Sequence, residues 1–254
     1  MNDRLTLFKG KDPTAAEVYA CYCKGDGFKR AINLYDTVRV NENFYIGKQW
    51  EGIEANGLPT PQFNFLKRVV GFVVATITTD NIRVTASALS NTVDTGALVE
   101  PARIVNEEFE ALTEQNRVPN RIRMFARDAA VRSDGCLYSY WDEDAETGQP
   151  NAKGAIRTEL VENTRVFFGN PNDRSVQAQP WIMIEKREIT REVKRRAKEN
   201  GAENWQAIDS DSEAYEVDTA KKQDCDTTSV FLLMWRDEDS GEIRAIESTK
   251  ECIV

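Results

Sequence analysis

The chain has 254 residues, enough for one large domain or two smaller ones around a core that needs no disulfide staples. Hydrophobic residues make up 41% and charged residues 30%, ordinary globular proportions that exclude a disordered or fibrous chain. The formal net charge of −9 belongs to one end, because residues 203 to 254 hold 14 Asp+Glu against 5 Lys+Arg while the first 202 residues hold 28 of each. That last segment repels phosphate and should bind DNA poorly by counterion release, so its expected partner is basic protein or none.

The chain contains no histidine, the side chain most used as a general base near neutral pH and the commonest metal ligand. Five cysteines, an odd number, argue against a disulfide framework, and Cys21 and Cys23 form a lone close pair without the second pair that a zinc site needs. The opening MNDRLTLFKGKDP lacks the basic and apolar regions of a secretory signal, which sets an intracellular expectation. Phe63 to Thr79, the most apolar stretch, is interrupted by Asn64, Lys67 and Arg68 and is too short to span a bilayer.

Residues 1 to 28 read as a polar segment, with GDGFKR as a turn into the first helix. Ala31, Leu34, Tyr35 and Val38 step by three and four, predicting a helix over 28–46 that ends at Gly47. After the loop EGIEANGLPTP, Pro61 opens a helix over 61–77 whose Phe65, Leu66, Val69, Val70 and Val73 cover so much of its circumference that it should be core. Ile82, Val84 and Ala86 alternate with polar residues as a short strand. Pro101 opens a helix over 101–116 with Ile104, Val105, Phe109 and Leu112 as its apolar face, and another follows over 120–134, stopped by Gly135.

From Cys136 the period changes to two: CLYSYW, the turn DEDAETGQPNAKG and AIRTELV predict a hairpin. A strand at Arg165 to Phe168 leads through GNPNDRS to a strand at Trp181 to Glu185. Thr190 is placed to cap a helix over 190–200 ended by Gly201. An acidic connector, the strand SVFLLMW, the turn RDEDSG and the strand-like EIRAIESTKECIV complete the chain, which stops at Val254 inside an apolar pattern and is expected to be truncated there. The predicted class is α+β, with small mixed or antiparallel sheets.

YIGKQW from Tyr45, followed by the Gly/Pro loop and PQFNFLKRVVGFVVATI, resembles the N-terminal part of tailed-bacteriophage portal proteins, the head-to-tail connectors. RDAAVRSDGCLYSYWDED, VENTRVFFGNP, QPWIMIEKREITREVKRRAKENG and VFLLMWRDEDSGEI follow in the order that family would show, and the order carries the resemblance, since each piece alone is weak. The resemblance implies a wing-like α+β domain over 1–185, a stem-proximal helix over 186–204 and an acidic clip-like β region over 205–254, with the second stem helix, tunnel loop and crown missing. It implies a non-enzymatic subunit of a ring, usually dodecameric, at the capsid portal vertex of the virion, assembled in the host cytoplasm. Its implied partners are the terminase large subunit, a head-tail adaptor, the major capsid or scaffold protein, and double-stranded DNA passing non-specifically. No cofactor is implied, and packaging energy would come from the separate terminase ATPase.

Several constellations admit a second reading. WDED (Trp141 to Asp144) and RDEDSGE (Arg236 to Glu242) could hold a divalent cation, but hairpin tips favour Asp and Gly for backbone reasons and neither has calcium-loop spacing. GDGFKR has the glycines of a phosphate loop without GxxxxGK[ST]. Trp50, Trp141, Trp181, Trp205 and Trp235 are too scattered for a base-stacking platform and read as core or interface anchors. Arg117, Arg121, Arg123, Arg127 and Arg132 cluster around the fourth helix and face DNA, a neighbour or solvent. Arg191, Lys194, Arg195 and Lys198 line one helical face, for which acidic Asp237 and Asp239 of a neighbouring subunit are a candidate complement; a solvated or channel-facing helix is the alternative. Against the portal reading stand an acidic metal-dependent hydrolase and another capsid or head-completion protein.

Overall fold

The computed structural model describes residue 8 and residues 11–79, 85–87, 96–146, 153–173, 175–210, 226–237 and 241–254. Among these, six helices are found: α1 (Ala15–Ala31), α2 (Leu34–Ile46), α3 (Phe65–Ile77), α4 (Gly96–Gln115), α5 (Val118–Arg132) and α6 (Thr190–Glu199). The strands are β1 (Cys136–Glu146), β2 (Lys153–Val161), β3 (Val166–Phe168), β4 (Trp181–Ile189), β5 (Thr227–Arg236) and β6 (Ile243–Ser248), and every pairing between them is antiparallel. The expected α+β class is therefore correct. The chain divides into two compact units, Met1–Tyr35 with Thr164–Val254, and Asp36–Asn163. The boundaries expected at 185 and 204 both fall inside the first.

In the first unit the sheet order is β3-β4-β5-β6. Strand alternation sends Phe231, Leu233 and Trp235 of β5 to one face, where they pack with Val18 and Cys21 of α1, Phe167, Trp181 and Met183. Val230 points the other way, into a cluster with Val193 and Ala197 of α6, Ile208 and Cys252. Covered on both faces, β5 is buried along nearly its whole length, which explains why SVFLLMW reads as a continuous apolar run. Trp181 and Trp235 are register partners across β4 and β5 and both are buried. After β6 the chain turns back, Val254 N–H donating to the Glu247 carbonyl at 2.9 Å, so the long terminal strand expected from EIRAIESTKECIV ends at Ser248.

Helix α1 corrects the sequence reading. The single helix expected over 28–46 is two, separated at Asn33 with φ 55°, and the segment read as a turn, Gly25-Asp26-Gly27, lies inside α1. A capping box starts α1: Thr14 Oγ1 accepts from Glu17 N–H while the Glu17 carboxylate accepts from Thr14 N–H at 2.8 Å. Gly25 is in mid-helix for packing, because a Cβ there would lie 2.8 Å from Phe167 Cδ1. Thr190, expected to cap α6, is instead its buried first residue; Ile189 holds the cap position without a side-chain bond, and the Thr190 hydroxyl has no partner among the described residues.

In the second unit α3 and α4 pack on α5, and α5 packs on β2. Asn64 caps α3, accepting from Lys67 N–H at 3.0 Å and donating to the Tyr45 carbonyl at 2.8 Å, so the helix begins four residues after the expected Pro61. Pro61 instead offers its carbonyl to Trp50 Nε1 at 3.0 Å. Pro101 lies within α4, past its first turn, rather than opening it. The β1–β2 ladder runs from Cys136↔Val161 to Glu146↔Lys153 with an irregularity between Asp142 and Glu146, so Asp142 to Asp144 extend a strand where a hairpin turn was expected. Of the expected strand at 82–86, Ile82 and Val84 lie outside the described residues, and Ala86 is bound through its backbone to the Asn106 side chain.

Candidate subunit interface

The largest departure from the sequence reading is α3. Phe65, Leu66, Val69, Phe72, Val73 and Ile77 repeat with helical period along one face, and that face is open: Phe65 is 67% exposed, Phe72 73% and Ile77 62%. No residue of α3 is buried, although the helix reads as core. Within it only Val70 and Val74, toward the opposite side, are half-buried, as is the C-cap Thr78. Helix α4 repeats the situation on a smaller scale, with Ile104, Val105 and Phe109 exposed along its own stripe. Its carboxylates Glu100 and Glu107 hold Arg103 between them. A monomer rarely exposes contiguous apolar patches of more than a few hundred Å² unless they meet a partner.

The scaffold holding this surface is polar and specific. Glu42 of α2 bridges two arginines of α5, its Oε2 2.6 Å from an Arg127 terminal nitrogen and its Oε1 2.6 Å from Arg132 Nε. Arg127 also meets Asp128 at 2.8 Å and stacks over Tyr45 at 4.7 Å, while Arg132 meets Glu162 at 2.7 Å. Burial pushes the Glu42 carboxyl up, but the hydrogen bonds from Arg132 and Arg127 outweigh it and hold the group below the usual carboxylate range. Asn116, buried at the end of α4, places its amide against β2, donating to the Ile156 carbonyl at 2.8 Å and accepting from Thr158 N–H at 3.0 Å. That occupies the edge of β2 opposite β1 and blunts it against further pairing. On the hairpin, burial and a hydrogen bond to Glu159 leave the Tyr140 phenol pushed up to about 12.

The five arginines expected as one basic patch do different things. Arg127 and Arg132 are consumed in the Glu42 network. Arg121 Nε donates to the Asn116 carbonyl at 2.7 Å. Arg117 takes a left-handed conformation, φ 49°, at the start of α5, and Arg123 is exposed. Glu42, Asn116 and Asn106 escaped the sequence reading because their partners lie tens of residues away and no local motif announces them.

On α6, Arg191 and Lys198 are exposed and Lys194 is half-buried. Arg195 is met on its own helix by Glu192 at 3.1 Å and Glu199 at 3.5 Å, and Lys198 Nζ stands 5.3 Å from the Trp205 ring centroid. On α6 it is Arg196, which the sequence reading passed over, that reaches the acidic end of the chain: it bonds Glu188 at 3.0 Å and Glu247 at 3.1 Å within the same unit, where Lys186 of β4 also meets Glu247 at 3.9 Å. Asp237 is buried and 3.0 Å from Arg244, so its charge is already met in its own chain. Asp239 lies outside the described residues.

Among the described residues no group of three or more Cys, Asp or Glu is disposed to hold a metal ion, and no helix is long and apolar enough to cross a membrane. Asp142, in the first acidic cluster, instead pairs with Arg157 at 3.4 Å. No protein-family model matches the chain, and no curated protein matches it.

Proposed function

We propose that the chain is a structural, non-enzymatic subunit of a tailed-phage portal ring, through which DNA is packaged and ejected and on which terminase and the head-tail adaptor dock. The order of the segments from Tyr45 to Glu242 suggests the family, and the exposed apolar stripe of α3 is the observation that carries the assembly role. A helix this apolar is unstable against water until something covers it, and a subunit of a closed ring has a neighbour in every copy. The scaffold or capsid protein at the vertex, and duplex DNA sliding without sequence preference, are the remaining partners of this reading.

The test is electron microscopy and native mass spectrometry of the full-length gene product. A closed ring with a central channel is expected. An assembly without a channel would turn the reading to head completion. A large thermal stabilisation by magnesium, manganese or calcium, lost when Asp142 and Asp144 become Asn, would turn it to a metal-dependent enzyme.

A further inference from the structure

We infer that the apolar stripe of α3 on one copy packs against the α4 stripe of a second copy of this chain, a head-to-tail contact that deepens the ring reading and rests on it. Three observations converge. The first is area: Phe63, Phe65, Leu66, Val69, Phe72, Val73 and Ile77 are all exposed, and side chains of this size at these exposures present roughly 700 Å², close to the about 800 Å² that one partner contributes to a standard stable interface.

The second is charge. Helix α3 carries Lys67 and Arg68 and no carboxylate, whereas α4 carries Glu100, Glu107, Glu108, Glu110 and Glu114 against the single Arg103. Two α3 helices side by side in parallel would bring their cations together. An α3 against an α4 sets Arg68, at the margin of its stripe, near the carboxylates bordering Ile104, Val105 and Phe109. The third is that both helices pack on α5 of the same unit, so each copy offers two different apolar faces held by one rigid element. Different faces meeting is the condition for a contact that repeats around a ring, where a face meeting itself stops at a dimer.

Two variants of the 254-residue chain separate these cases by sedimentation velocity at tens of micromolar protein. One carries Val69→Asp and Phe72→Asp on α3, the other Val105→Asp and Phe109→Asp on α4. The parent is expected to associate, and each variant alone to be monomeric, its self-association weakened about thirtyfold or more, as when a central aromatic anchor is lost. An equimolar mixture should form one-to-one dimers and nothing larger, since one variant keeps a working α4 face and the other a working α3 face. Should a variant lose the parental circular dichroism spectrum, Phe72→Gln and Phe109→Gln replace the charged pairs in the same scheme.

Self-association of the α4 variant equal to the parent would overturn the inference in favour of α3 meeting itself. So would a mixture that stays monomeric while both variants keep the parental fold. A parent that is monomeric, whether it stays free or floats with phosphatidylcholine and phosphatidylglycerol vesicles, would overturn it too, the second result giving the stripe to a lipid surface. A full-length ring whose assembly ignores both variants would sink this contact and leave the portal reading standing.

Discussion

The two units solve the same problem in opposite ways. In the first, β5 is sealed between α1 and α6, and Leu233 of β5, Met183 of β4 and Phe167 of β3 are almost wholly withdrawn from water. In the second, α3 and α4 are held in place by α5, Glu42 and Asn116, yet their most apolar stripes face outward. The first unit buries most of its large apolar residues in its own core, whereas the second leaves the stripes of α3 and α4 exposed to solvent.

The comparison breaks most sharply under truncation of large side chains. Met183→Ala should cost about 2–5 kcal/mol, because it opens a cavity at a fully buried position. Phe72→Ala, which removes a bigger side chain from α3, should change the stability of the monomer by about 0.5 kcal/mol or less. Urea unfolding of both variants at a concentration where the parent is monomeric checks the pair. Equal losses would mean that α3 is covered within the single chain.

Glycines of α1 sharpen the description of the first unit. Gly25→Ala places a methyl 2.8 Å from Phe167 Cδ1 and should destabilise by about 1–3 kcal/mol through overpacking, more than the gain in helix propensity returns. Gly27→Ala, two residues on, meets nothing within 4 Å and should stabilise by about 0.5–1 kcal/mol. Thermal melts reading opposite signs would verify that close approach of α1 to β3 is what requires Gly25.

For the second unit, Glu42→Gln should cost about 1–2 kcal/mol by leaving Arg127 and Arg132 with weaker acceptors. The Glu42 carboxyl titrates lower in the folded chain than in the unfolded one. Its contribution is therefore fully present above the ordinary Glu value of about 4.3 and is lost as pH falls through the lower folded value. Denaturation midpoints between about pH 3 and pH 6 should fall more steeply toward acid for the parent than for Glu42→Gln. Parallel curves would show that the network adds nothing to stability.

The smallest effect concerns DNA. With a net charge of −9 and with Arg127 and Arg132 committed to carboxylates, the isolated chain should bind duplex weakly, without sequence preference, and less still as salt rises. Fluorescence anisotropy with two unrelated duplexes at low and physiological salt measures this. Nanomolar, sequence-selective binding would contradict it.

Local chemistry made much of the fold legible in the sequence. The switch to period two at Cys136 marked β1, the apolar run SVFLLMW marked β5 as a strand, and Pro119 and Gly135 bracketed α5 to within three residues. These signals live in neighbours along the chain, where backbone geometry and side-chain alternation act directly. The capping box that starts α1 at Thr14 and Glu17 is equally local, but residues 1 to 28 read as a polar segment and GDGFKR as a turn, since a glycine inside a helix costs about 1 kcal/mol unless packing demands it.

Tertiary structure alone decided the rest. Periodicity established that α3 is apolar, but which way its stripe points depends on what α5 and the remainder of the fold leave uncovered, and burial is a property of three dimensions. Likewise a run of arginines shows that charge is present without showing whether it is spent: Glu42 lies 85 and 90 residues from Arg127 and Arg132, and only folding brings that carboxylate between them.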